Sequence, residues 1–310
     1  MKRIFLFLAL LGALIPLSAQ ENVSPQEFLR RYNNLVQRVG VDGVGVETLL
    51  DKWEAACPED EQQQVARFRF CFERSRTPQV IRLDKDRYLG QEALLPMTDS
   101  TGKKCNFFQD YLYDDDLFAS ALQAIDKAIA AKPDRLDYRL AKADALIAYE
   151  KEEPDMALQE LKSLVDRHFT LNPAWEYNGM DAVSPEQFCA FIQDECVALF
   201  RLGTDASAAA FRSLSEHMLS YSKDHPLFLD NLGSYHLVRK EYRQARKYFD
   251  RVLKKHPSDM TALRNGILLS RATKDRKLEK KYLGMMARNG ESEADRESAR
   301  IRLEAYEKNK

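Results

Sequence analysis

Five cysteines (Cys57, Cys71, Cys105, Cys189, Cys196) and five histidines (His168, His217, His225, His236, His256) are the side chains of this 310-residue chain best suited to nucleophilic attack, proton transfer or metal ligation. Each chemistry demands a spacing. Zinc hydrolysis takes two histidines one helical turn apart with a Glu beside the first, and none of the five histidines forms such a pair. Nothing local marks Cys57 or Cys71 as an activated thiol, and no nucleophile elbow, P-loop or dinucleotide fingerprint is present. Gly40, Gly43 and Gly45 follow no apolar strand, so they read as turn glycines between helices and not as a phosphate cradle. Asp114-Asp115-Asp116 lacks the Gly and distal Glu of a calcium loop and reads as an acidic helix start capped by Asp116. The run Glu150, Glu152, Glu153 and Asp155 reads as a solvated helix end. The expectation is a noncatalytic protein with no metal and no cofactor.

The elements that carry these side chains are expected to be helices. Hydrophobic residues make up 45% and charged residues 31%, with only 12 Gly and 11 Pro, which fits a folded helical chain and excludes collagen-like and low-complexity classes. Cys189 and Cys196 lie seven positions apart on a predicted helix, about 10 Å along its axis, beyond disulfide reach. Cys57 and Cys71 fall on different helices, and the odd count forbids complete pairing, so buried free thiols are expected.

Lys2 and Arg3 precede an apolar run from Ile4 to Leu17, followed by Ser18-Ala19-Gln20. Residues 1–20 therefore read as a secretory signal cut next to Ala19; the run is shorter than the ~20 residues a spanning helix takes. No lipid-anchor cysteine follows the cut, so a periplasmic or secreted location in a bacterial cell envelope is expected, without stable membrane insertion. Residues 21–238 carry 24 basic and 37 acidic side chains, whereas residues 239–310 carry 21 and 11. The chain is electrically lopsided.

Apolar residues recur at helical spacing from about Pro25 to Tyr306 in segments joined by short turns. The clearest unit runs from Pro226 to Pro257: one helix with Leu229, Leu232, Gly233 and His236, a turn near Lys240-Glu241, and a second helix with Ala245, Phe249 and Val252. Its Leu232-Gly233, Ala245, Phe249 and Pro257 resemble the tetratricopeptide repeat at that family's spacing, with Leu229 and His236 standing where Trp and Tyr are usual. Gly233, Ala245 and Phe249 map 33 residues on to Gly266, Leu278 and Tyr282. Looser echoes occur at Ala121, Ile125, Ala128 and Pro133, and at Ala157, Leu161 and Leu164.

The resemblance implies an all-α fold, an α-α superhelix of stacked helical hairpins; the pattern itself changes from Thr77 to Phe108, with Val80, Ile81, Leu83 and a turn-like Asp99-Ser100-Thr101-Gly102, which reads as a small extended or β-hairpin insert near residues 80–108. The expected organisation is a signal (1–20), an N-terminal helical segment (21–76), the insert (77–108) separating it from the main array, tetratricopeptide-like repeats (109–290) and a C-terminal helix with a basic tail (291–310). Such an array is open, and its first helices line a concave face able to take an extended peptide or a helix. The function this implies is a scaffold for a protein or peptide partner. Family members that clamp a terminal carboxylate carry an Asn before the Leu-Gly pair and a basic residue two before the next repeat's Gly; Asn231 and Arg264 match those places, while Met260 stands where a clamp lysine is expected. Ser234, Leu237 and Arg271 join them as groove candidates by helical phase. Export argues against a nucleic-acid partner for the basic C-terminal third. Two alternatives stand beside the scaffold: an envelope assembly component whose acidic body meets the basic part of another copy, and an envelope hydrolase with dispersed residues.

Overall fold

A computed structural model describes residues 23–180 and 182–308; the expected signal segment, residues 1–20, lies outside the described residues. The elements are α1 (Pro25–Val39), α2 (Val46–Ala56), α3 (Glu61–Ser75), β1 (Arg76–Leu83), β2 (Arg87–Tyr88), β3 (Gln91–Glu92), β4 (Asn106–Tyr113), α4 (Asp115–Ala131), α5 (Leu136–Glu150), α6 (Asp155–Leu171), α7 (Pro185–Leu202), α8 (Asp205–Tyr221), α9 (Pro226–Val238), α10 (Tyr242–Lys255), α11 (Met260–Ala272), α12 (Arg276–Asn289) and α13 (Glu293–Lys308). No helix among the described residues is long and apolar enough to cross a membrane.

Local chemistry sets the helix starts. Ser24 accepts the Glu27 N–H with Pro25 first inside α1, and Ser184 and Gln187 bond reciprocally ahead of Pro185. At α4 the cap is Asp114, which accepts from the Leu117 N–H at 2.9 Å, and not Asp116 as the sequence suggests. Starting two residues earlier places Asp115 and Asp116 in the first turn, where the helix dipole favours both.

The helices pair as hairpins, α3 on α4, α5 on α6, α7 on α8, α9 on α10 and α11 on α12, and successive hairpins stack. The first helices also touch one another, α7 with α9 and α9 with α11. This is the stacked-hairpin superhelix that the repeat pattern implies. The close approach of α9 and α10 depends on Gly233, because a Cβ there would lie 2.3 Å from Cε1 of the fully buried Phe249. Gly266 makes the same room for Tyr282, with a Cβ 2.9 Å from the ring. Ala245 and Leu232 are buried beside them, and the exposed Pro257 follows the end of α10. One apolar cluster runs from Phe28 to Tyr235 and a second from Leu229 to Ala299; Leu219 of α8 packs against both.

The insert lies where the sequence places it, near residues 80–108, and its last strand runs on to Tyr113. β1 pairs antiparallel with β4, from Arg76 opposite Tyr113 to Leu83 opposite Asn106, and β2 and β3 form a small pair between them. This ribbon is the connection between α3 and α4, which pack directly on one another. Asp114 N–H donates to Ser75 C=O at 2.8 Å and closes the ribbon's base. The strand runs past residue 108 to Tyr113 because buried Asp110, polar in an inward place, is matched by Lys151 at 2.8 Å from α5's end.

All five cysteines are free, with Cys57 half-buried and the other four buried. Burial raises the Cys71 and Cys189 thiols and pushes that of Cys196 up to about 12.

Candidate functional site

The five sequence-predicted groove residues lie on neighbouring helices, but four of them are tied to the chain itself. Asn231 is 5% exposed. Gln193 Nε2 donates to its Oδ1 at 2.9 Å, and its Nδ2 donates to Gln193 Oε1 (2.7 Å) and Ser215 Oγ (3.1 Å). With every amide group engaged, Asn231 joins α9 to α7 and α8 and offers nothing to a visiting carboxylate. Ser234 is half-buried and accepts from Asn265 Nδ2 of α11 at 3.1 Å. Leu237 is half-buried against the second apolar cluster. Arg264 and Arg271 are exposed; the first meets Asp295 of α13 at 3.1 Å and the second Glu279 of α12 at 2.7 Å. Between these arginines Leu268 is 56% exposed, so α11 presents an open row of Arg264, Leu268 and Arg271 at intervals of four and three.

The same first helices carry acids that sequence reasoning passed over. Asp230 of α9 is 3% exposed, and neither of its oxygens finds a donor. Burial, with the carboxylate of Asp259 facing it, pushes its carboxyl up to about 9. Glu195 of α7, 6% exposed, is pushed up to about 8 by burial and then by the charges of Asp144 and Asp194. Asp144 on α5 is raised as well, by desolvation.

A second feature is built by the ribbon. Where its turn meets the ends of α7 and α9 and the start of α8, a cleft of about 760 Å³ opens. Leu89, Phe200, Leu202 and Val238 supply apolar lining, and Arg87, Arg201 and Arg239 stand around it with Asp205. Gly90 makes this junction possible: its φ is +76°, and a Cβ would lie 2.0 Å from the Arg201 carbonyl oxygen. Lys151 anchors the ribbon from the other side, donating to Asp110 and to the Tyr111 carbonyl. Under the ribbon a smaller cavity of about 240 Å³ is lined by Asp144, Ile147, Ala148 and Leu202. The three arginines come from three separated segments, so no local spacing announces them; the only sequence signal is the glycine after Leu89.

No protein-family model matches the chain, and no curated protein matches it. Solved structures similar to it at low identity include the following three. PilF of Pseudomonas aeruginosa is 14% identical, with a TM-score of 0.36 over 89% of this chain and 96% of that one. PilW, a type IV pilus biogenesis factor, is 10% identical, with a TM-score of 0.38 over 88% and 96%. Acl4, an assembly chaperone of RpL4, is 12% identical, with a TM-score of 0.35 over 93% and 99%.

Proposed function

We propose that this chain is an exported, noncatalytic scaffold that binds a protein or peptide along its first helices, in the cell envelope or outside the cell. The observation that carries this reading is the open row Arg264, Leu268 and Arg271 on α11, beside Ser234 and Leu237 on α9. An apolar side chain flanked by two arginines, on a helix whose other faces are buried in the stack, suits a partner surface that is apolar at its centre and acidic at its edges. Asn231 drops out of the contact set and keeps a supporting role between helices.

A photoreactive phenylalanine analogue placed in turn at Leu237, Leu268 and, as control, at exposed Lys247 on α10 tests the surface. A specific adduct from the first two positions, weakened in an Arg264→Ala/Arg271→Ala variant and missing from the third, is the expected result. Adducts of equal yield from all three would remove the assignment. N-terminal sequencing of the exported protein, expected to begin at Gln20, tests the signal reading.

The uneven charge of the two parts favours a second reading, an assembly component that stacks acidic body on basic C-terminal part. Oligomers that dissociate in high salt support it, and a monomer at every ionic strength rules it out.

A further inference from the structure

The geometry points to the ribbon cleft as a binding site for an extended peptide segment whose carboxylates alternate with apolar side chains. The inference rests on the scaffold reading but concerns a different surface, one that a plain stack of hairpins would lack. Three observations combine in it. The volume, about 760 Å³, lies within the ~300–1,000 Å³ of ligand sites. Its lining is apolar and partly open to solvent: Val238 is 66% exposed, and Leu89, Phe200 and Leu202 are half-buried.

The third observation is charge. Arg87, Arg201 and Arg239 face a single lining carboxylate, Asp205. Arg201 is exposed and has no ion-pair partner among the described residues. Arg239 reaches Asp205 only at 3.6 Å and Glu241 at 3.5 Å, and the side chain of Asp205 is fully exposed, so an incoming carboxylate displaces little. Arg87 is held by Glu92 at 2.8 Å, with both side chains mostly exposed. An acid of the segment reaches Arg201 and Arg239, while its apolar neighbour covers Val238 and Leu202. Alternation at extended spacing delivers both, because successive side chains of a strand point to opposite sides. A basic segment is refused by the same arginines.

Fluorescence anisotropy with a fluorescein-labelled peptide Gly-Asp-Phe-Glu-Leu-Asp-Gly tests this on the full chain, with a control peptide carrying Lys at each acidic place. The acidic peptide is expected to bind and the basic one not. Binding weakens at least tenfold in Arg201→Ala/Arg239→Ala, weakens as salt rises from 50 to about 300 mM, and is unchanged in Arg264→Ala/Arg271→Ala. Gly90→Ala, which keeps all three arginines but sets a methyl against the Arg201 backbone, is expected to lower affinity by displacing the ribbon. Circular dichroism melting confirms that each variant is folded. No binding by the wild type, equal binding of both peptides, or an unchanged Arg201→Ala/Arg239→Ala variant overturns the site. Loss of the peptide result with the Leu237 and Leu268 adducts intact removes the cleft and leaves the scaffold. The reverse pattern removes the α11 surface and leaves the cleft.

Discussion

Between α9 and α10 the chain turns round within residues 239–241, whereas between α3 and α4 it travels through residues 76–114 before it packs back. Both pairs are hairpins, yet they are held differently. In the first, a glycine admits one aromatic ring: Gly233 faces Phe249. In the second, α4 offers buried Ala121, Ala124 and Ala128, and the ring of Phe118 stacks on Tyr149 of the following hairpin at 3.9 Å. The short connection leaves a plain edge. The long one bends over α7 and encloses a cleft. Regular packing supplies the frame, and the departure from regularity supplies the more individual surface.

The sharpest way to break the comparison is at the glycine-ring contact. Phe249→Ala is expected to cost about 3–5 kcal/mol in urea unfolding, since the ring is fully buried. Gly233→Ala costs about 1–3 kcal/mol by overpacking, and far less in a Phe249→Ala background, where the added methyl has room. Additive costs would show that the two residues do not share one contact.

A smaller effect separates the first helices' acids from their surroundings. The folded-state carboxyl of Asp230 is raised to about 9, so its contribution is complete below its ordinary value near 4 and is lost as pH rises through 9. Asp230→Asn is therefore expected to melt higher than wild type at pH 8, by roughly 1–3 kcal/mol of stability, and to differ little at pH 4. The order reversed, with the variant weaker at pH 8, would mean that the carboxylate is ionised and paired.

The smallest global effect belongs to the ribbon. Gly90→Ala adds a methyl against the Arg201 carbonyl and forces a left-handed residue to carry a side chain. Deuterium exchange is expected to quicken in β1 and β4, with a melting shift of only a few degrees. Unchanged exchange would show that the ribbon does not depend on that junction.

What the sequence disclosed follows the same division. Leu232, Gly233, Ala245 and Phe249 lie within one hairpin, so their spacing along the chain is already their spacing across the packing, and the stacked architecture could be read from them. Asn231 could not be placed in the same way: its position in the motif suggested a free amide, but the Gln193 that occupies it is 38 residues distant. The ribbon was visible as a break in helical pattern, yet its far end was hidden because Asp110 looks polar until Lys151, 41 residues on, is brought beside it. The cleft was hidden altogether, since Arg87, Arg201 and Arg239 meet only after the hairpins from α3–α4 to α9–α10 have stacked.

Ser75 and Asp114, joined by a 2.8 Å hydrogen bond, make the excursion leave and re-enter the helical frame at nearly one point. A detour with its two doors side by side is a detachable cassette: it can lengthen, shrink or be exchanged between descendants while the beams on either side keep their joints. Its surface can then change without renegotiating how the rest of the chain folds.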